Sequence, residues 1–239
     1  MGAVLAAIAL TPSAPVLVPE LAGAAASEVA ELRAAACSAA ATLPDRWIAV
    51  GVGPTEQVIE PETSSTFAGY GVDLVIELSS QSPPLVTAVP LCALLAGWLR
   101  GQANPLARVQ VRVYPADLSP DAALARGREL RAQIDAATDP IGVLVVADGA
   151  HTITSSATGG YDQQAESVQA GLDRALAKGD AAALALLGDS IVGRVAYQVL
   201  AGLAPAPVAA VELARGAPYG VGYFVGTWDP GKPPVRLHQ

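Results

Sequence analysis

Short apolar runs alternate along the chain with longer stretches of helical periodicity. Val4–Leu10 is a run of strand length, followed by the proline-rich segment Thr11–Pro19. Glu20–Thr42 carries Leu21, Val29 and Leu32 among alanines at helical spacing, which predicts one long helix ending at Leu43-Pro44. Trp47–Val52 predicts a buried strand closed by Gly53-Pro54, and Val72–Leu78 is a further candidate strand. Pro90–Arg100 reads as a helix, and Val109–Tyr114 alternates as a half-buried strand. Ser119 followed by Pro120 is a helix start signal, an N-cap hydroxyl with proline in the first turn, so Ser119–Ala137 is predicted helical. Ile141–Ala147 is β-branched, apolar and too short for a helix, as expected of a central strand.

A polar loop, Asp148–Gly160, comes next. Helices are predicted over Asp162–Lys178, Ala181–Leu187 and Ser190–Leu203, with Gly179-Asp180 separating the first two. Ala204–Pro207 breaks the chain before two last strands, Val208–Leu213 and Val221–Thr227. The residues 228–239, with three prolines, are expected to be an irregular tail. Strands separated by helical crossovers imply an α/β fold, a three-layer αβα domain with a mostly parallel or mixed central sheet. No repeat and no long linker interrupts the chain, so residues 1–239 are expected to form a single domain.

Composition narrows the functional classes. Of 239 residues, 52% are hydrophobic and only 15% charged, which excludes a disordered chain. Fourteen basic residues against 22 acidic give a net charge of −8, so no basic surface is expected to neutralise a phosphate backbone, and nucleic acid is not an expected partner. The apolar runs fall far short of the ~20 residues a bilayer needs, so no membrane span is expected. No Lys or Arg precedes the apolar stretch in Met1–Pro12, unlike a secretory signal, and a cytoplasmic location is expected. Cys37 and Cys92 lie in apolar surroundings and are expected to be free thiols. Low charge leaves apolar surface to cover, and a homo-oligomer is expected on that ground.

Candidate chemistry is sparse. Only two histidines occur, His151 and His238, and no metal-binding spacing of His or Cys is present. Gly51-Val-Gly53 and Gly220-Val-Gly222 do not open helices in the manner of phosphate-binding loops, and no nucleophile elbow is found. The informative segment is Val143–Asp162. Its strand ends at Ala147 and places Asp148 and His151 beyond the carboxyl end, where open α/β sheets gather ligands. A hydroxyl-rich loop with Thr152, Thr154, Ser155, Ser156 and Thr158 follows. Asp148 could fix the His151 tautomer for acid–base work; alternatively Asp148 caps the loop and His151 satisfies a carbonyl.

That segment, ADGAHTITSSATGGYD, resembles the GDLSHRLTPDAPGGYD stretch of the LigB-like superfamily, the catalytic-subunit fold of class III extradiol ring-cleavage dioxygenases. Thr11–Gly23 (TPSAPVLVPELAG) resembles that family's opening PHPPLLVPEVGG, and Gly216–Thr227 (GAPYGVGYFVGT) its closing EAPFGVGYLVA. The three matches occur in the family's order and span nearly the whole chain. They are most similar to the alanine-rich actinobacterial branch of the superfamily. The resemblance implies a mononuclear Fe²⁺ held by two histidines and a glutamate, with positions open for a catecholate and dioxygen. Those ligand positions fall here on Ser13, Thr55 and Gly216. His151 falls on the family's acid–base residue beside the metal.

Neutral hydroxyls are poor ligands for ferrous iron, and glycine offers only backbone. No metal and no cofactor are therefore expected. Glu20, Glu56, Glu60 and Glu62 lie near the lost positions and could hold a harder cation, or else be ordinary surface acids with Glu20 favoured at a helix start. Tyr161, Tyr219 and Tyr223 could line a pocket or complete a core. The expected function is a LigB-like binding or structural protein with a residual small-molecule pocket. The alternatives are a metal-independent enzyme using His151 on a small phenolic or acyl substrate, and an active extradiol dioxygenase.

Overall fold

The computed structural model describes residues 5–83, 86–154 and 161–231. Its centre is a seven-stranded mixed sheet of order β3-β6-β2-β7-β1-β9-β8. These strands are β1 (Leu5–Thr11), β2 (Arg46–Gly53), β3 (Gln57–Ile59), β6 (Arg108–Pro115), β7 (Ile141–Val146), β8 (Ala209–Gly216) and β9 (Tyr223–Asp229). Four of them, β6, β2, β7 and β1, are parallel neighbours, and β3 and β9 run antiparallel at either side. Because β8 is antiparallel to β9, it ends on the same edge of the sheet as β1, β2 and β7. Two short strands, β4 (Ser64–Thr66) and β5 (Val75–Glu77), pair separately.

Alternation along the strands splits the core into two layers. Ile8, Leu10, Val143, Val145 and Trp228 face one helical layer, formed by α4 (Pro120–Asp135), α5 (Ala165–Lys178), α6 (Ala181–Ala185) and α7 (Arg194–Leu203). Ala9, Ala49, Leu144, Val146 and Val225 face the other, formed by α2 (Ala30–Ala40) and α3 (Leu91–Ala103). β7 is buried at all six positions, as a strand covered on both faces must be. The expected α/β fold with helices on both faces of a mixed sheet is thus the observed one.

Small residues set the helix spacing. α4 and α7 cross where Gly127 and Gly202 meet: a Cβ on Gly127 would stand 2.1 Å from the Val199 carbonyl oxygen. Ser119 caps α4 as its sequence predicts, its hydroxyl accepting from the Ala122 N–H at 3.3 Å. Arg194, at the start of α7, donates to the carbonyls of Leu118 and Ala116 and so fastens α7 to the α4 entry.

Several boundaries differ from the sequence pattern. The predicted helix Glu20–Thr42 is broken into α1 (Pro19–Ala22), a 3-10 segment Gly23–Ser27, and α2, because Gly23 adopts φ +54° and ends α1. Residues 228 and 229 belong to β9, not to an irregular tail. Trp228 is almost fully buried and its indole N–H donates to the Leu176 carbonyl at 2.8 Å. α7 starts at Arg194 rather than Ser190, since Ile191 bridges to Ala150 instead of joining the helix. Among the described residues no helix is long and apolar enough to cross a membrane.

Candidate functional site at the carboxyl edge of the sheet

β7 lies between β2 and β1, so the chain leaving β7 is flanked by the exits of both neighbours. Ser13 follows β1, Thr55 follows β2, Asp148 follows β7, and Gly216 closes β8 opposite Tyr223. The topology thereby brings all four to one edge of the sheet.

The contact that forms there is between Ser13 and Asp148. The Ser13 backbone N–H donates to Asp148 Oδ1 at 2.7 Å, across 135 residues of sequence. Burial pushes the Asp148 carboxyl up to about 7 from its ordinary 3.8; the Ser13 N–H bond pulls the other way and loses. Two tyrosines stand close enough to feel its charge. Tyr197 donates its hydroxyl proton to the Ala147 carbonyl at 2.9 Å, and burial and then the Asp148 charge push its pKa up, holding the phenol protonated. Tyr223 is raised by the same two causes.

Backbone hydrogen bonds hold the segment that carries Asp148. Gly149 N–H donates to Gly222 O at 2.8 Å, Gly222 N–H to Ala150 O at 2.7 Å, and Gly193 N–H to Asp148 O at 2.8 Å. Gln169 on α5 seals this crossing. Its Oε1 accepts from Ala150 N–H at 2.9 Å, and a Cβ on either Gly149 or Gly222 would stand 2.0 Å from that oxygen. Its Nε2 donates to Asp173 Oδ1 at 2.7 Å. Gln169, Asp173 and Tyr197 are participants that the sequence reading missed. Gln169 and Asp173 share a face of α5 with the buried Ala165, Leu172 and Leu176, and polar residues inside an apolar stripe were the available signal.

Asp148 and His151 do not form a hydrogen-bonded pair. His151 is exposed, three residues further along, and the carboxylate is turned back onto Ser13. The strand exit directs Asp148 inward while the loop carries His151 out to solvent. Thr55 is exposed in a bend after β2, and Gly216 is exposed, where a Cβ would only touch the Pro218 ring at 3.8 Å. Ser155, Ser156, Thr158, Gly159, Gly160 and His238 lie outside the described residues.

The donors present do not fit the ferrous site that the resemblance implies. Ser13 contributes its backbone to Asp148, Thr55 supplies only a hydroxyl, and Gly216 supplies no side chain. Among the described residues no group of three or more His, Cys, Asp or Glu is arranged to hold a metal. The acids that could have rebuilt the site are engaged elsewhere: Glu56 pairs with Arg126, Glu62 with Arg108, and Glu60 accepts from Gln110 at 2.9 Å. Glu20 is exposed in the first turn of α1. Of the three tyrosines, Tyr161 is exposed, Tyr219 donates to Glu28 at 2.9 Å, and Tyr223 packs in the core.

Comparison with protein-family models and with curated proteins finds no match. Among solved structures, the chain is similar to an uncharacterised protein of Escherichia coli K12. The TM-score is 0.54 at 9% identity, over 94% of this chain and 99% of that one. At that identity the likeness establishes the shared α/β fold and nothing about activity.

Proposed function

We propose that this chain is a LigB-like domain whose sheet edge binds a small molecule without metal, in place of an iron centre for ring cleavage. The observation that carries this reading is the Ser13–Asp148 junction. Where the resemblance calls for an iron-holding histidine, the chain has Ser13, and its N–H is committed to Asp148 at 2.7 Å. A carboxyl raised to about 7 is protonated in about half of the molecules at neutral pH, so the oxygen not taken by Ser13 can donate in one form and accept in the other. That pairing suits the hydroxyl of a phenol or the carbonyl of a small acyl compound. The test is oxygen uptake with catechol and protocatechuate after anaerobic reconstitution with Fe²⁺. No uptake above the buffer rate is expected. Catechol-dependent uptake with formation of a ring-opened chromophore would overturn the reading.

A second reading, a metal-independent acid–base enzyme in the same place, is favoured by one specific feature. A carboxyl titrating near the working pH is what proton transfer requires. In this version Asp148, rather than the solvent-exposed His151, moves the proton, with no redox step. Turnover of a phenyl ester that is lost in Asp148→Asn and kept in His151→Ala would support it. Loss in His151→Ala alone would return the role to the histidine.

A further inference from the structure

A concave site beside α5 adjoins the sheet edge and shares Gln169, Asp173 and Gly216 with it, but not the Ser13–Asp148 junction. A cleft of about 340 Å³ opens between α5, the end of β8 and the start of the loop after β7. Ile153, Ala170 and Ala217 supply its apolar wall, and Glu166, Asp173 and Arg215 its charges. At about 30 Å³ per water, it has room for roughly eleven water-sized groups, the scale of a small organic molecule.

Its polar floor is fixed by hydrogen bonds behind it. Ala150 N–H needs an acceptor, so the Gln169 amide must present Oε1 to it and Nε2 to Asp173. This occupies Asp173 Oδ1 from the rear. The residue is 9% exposed, and Oδ2 has no hydrogen-bond donor among the described residues, yet it is not sealed from solvent. Asp173 lines the cleft, and Oδ2 is the oxygen left to accept from a bound proton donor. Among the described residues Arg215 is the one cation in the lining; it pairs with Glu212 at 3.3 Å and its charge also reaches Asp173. Glu166, Asp173 and Glu212 outnumber it and leave the cleft with a net negative character. Burial raises the Asp173 carboxyl as well, which a bound cation would reverse.

We infer that this cleft binds a small organic cation: a primary ammonium or amidinium whose N–H groups bond Asp173 Oδ2 while a short apolar body lies on Ile153, Ala170 and Ala217. The inference does not depend on the Ser13–Asp148 junction that carries the sheet-edge reading. It is tested by titrating the ¹⁵N-labelled full chain with benzylamine, with benzyl alcohol and benzoate in parallel. Saturable shifts are expected at Ala170, Asp173 and Ala217, with a Kd of about 1 mM or tighter. A charge-assisted bond implies that benzyl alcohol, benzoate and the Asp173→Asn variant each bind at least about tenfold more weakly. Asn keeps an acceptor for Gln169, and Ala170→Phe, which fills the cleft from an exposed helix position, should also lose binding. Benzylamine shifts that do not saturate, equal binding of the alcohol, or undiminished binding by Asp173→Asn would overturn the proposal. So would shifts centred on Ser13 and Asp148, which would place the amine at the sheet edge.

Discussion

Replacing Asp148 by Asn should make the protein more stable at neutral and alkaline pH, and the gain should grow with pH in a defined window. Asn keeps an oxygen to accept the Ser13 N–H, so the contact at 2.7 Å survives while the titration is removed. In the wild-type chain the carboxyl rises from 3.8 to about 7 on folding, because burial disfavours its charged form. Below pH 4 both folded and unfolded states hold the proton, and there is no penalty. Between pH 4 and 7 the unfolded chain releases a proton that the folded chain retains, so stability falls as pH rises. Above pH 7 the loss is complete. Three pH units at 1.36 kcal/mol each is about 4 kcal/mol, and the solvent reaching the partly exposed residue brings this to about 2–4 kcal/mol. Urea unfolding of both proteins at intervals from pH 4.5 to 8.5 measures it. The difference in favour of Asp148→Asn should widen across that range and then level off. A difference that stays constant with pH, or a variant less stable than wild type at pH 8, would refute the reasoning.

Three further outcomes follow from the packing. Gly127→Ala should cost about 3 kcal/mol and lower Tm by about 6–12 °C in calorimetry, since the new methyl meets the Val199 carbonyl and neither helix can yield locally. Ser119→Ala should cost about 1 kcal/mol in urea melts through loss of the α4 cap. Under native conditions a thiol reagent should label Cys37 well before Cys92. Both thiols are raised by burial, but Cys92 is buried and pushed up to about 12, whereas Cys37 is partly exposed.

The strands of the central sheet were legible where apolar runs are bounded by glycine or proline. Trp47–Val52, Val109–Tyr114 and Ile141–Ala147 all lie within β2, β6 and the β7 exit. The α4 start was legible because its signal, Ser119 before Pro120, is local. β3 and β4 were not, since three-residue strands are defined by their partners: Gln57–Ile59 is a strand only because Val111–Val113 lies beside it. The broken helix at Gly23 was missed because alanines on either side keep helical spacing through the break.

The candidate site divides in the same way. Asp148 beyond the β7 exit follows from strand length alone, but its partner does not. That the carboxylate meets Ser13 rather than His151 depends on β1 lying beside β7, a contact 135 residues away in sequence. The α5 pair was hidden for a related reason. Gln169 and Asp173 sit within the apolar stripe of α5, but what they serve there shows only once Gly149 and Gly222 are seen to make room for the amide.

The sheet edge that the sequence resemblance likens to an iron centre is expected to hold no metal. The most direct test is the metal content of the full chain after anaerobic reconstitution with Fe²⁺, Mn²⁺ and Zn²⁺ and desalting, read by elemental mass spectrometry. With Ser13, Thr55 and Gly216 at the ligand positions, the account predicts less than about a tenth of an equivalent of any metal retained. Retention near one equivalent of a single metal would contradict it and would mean that other donors of this chain rebuild the centre.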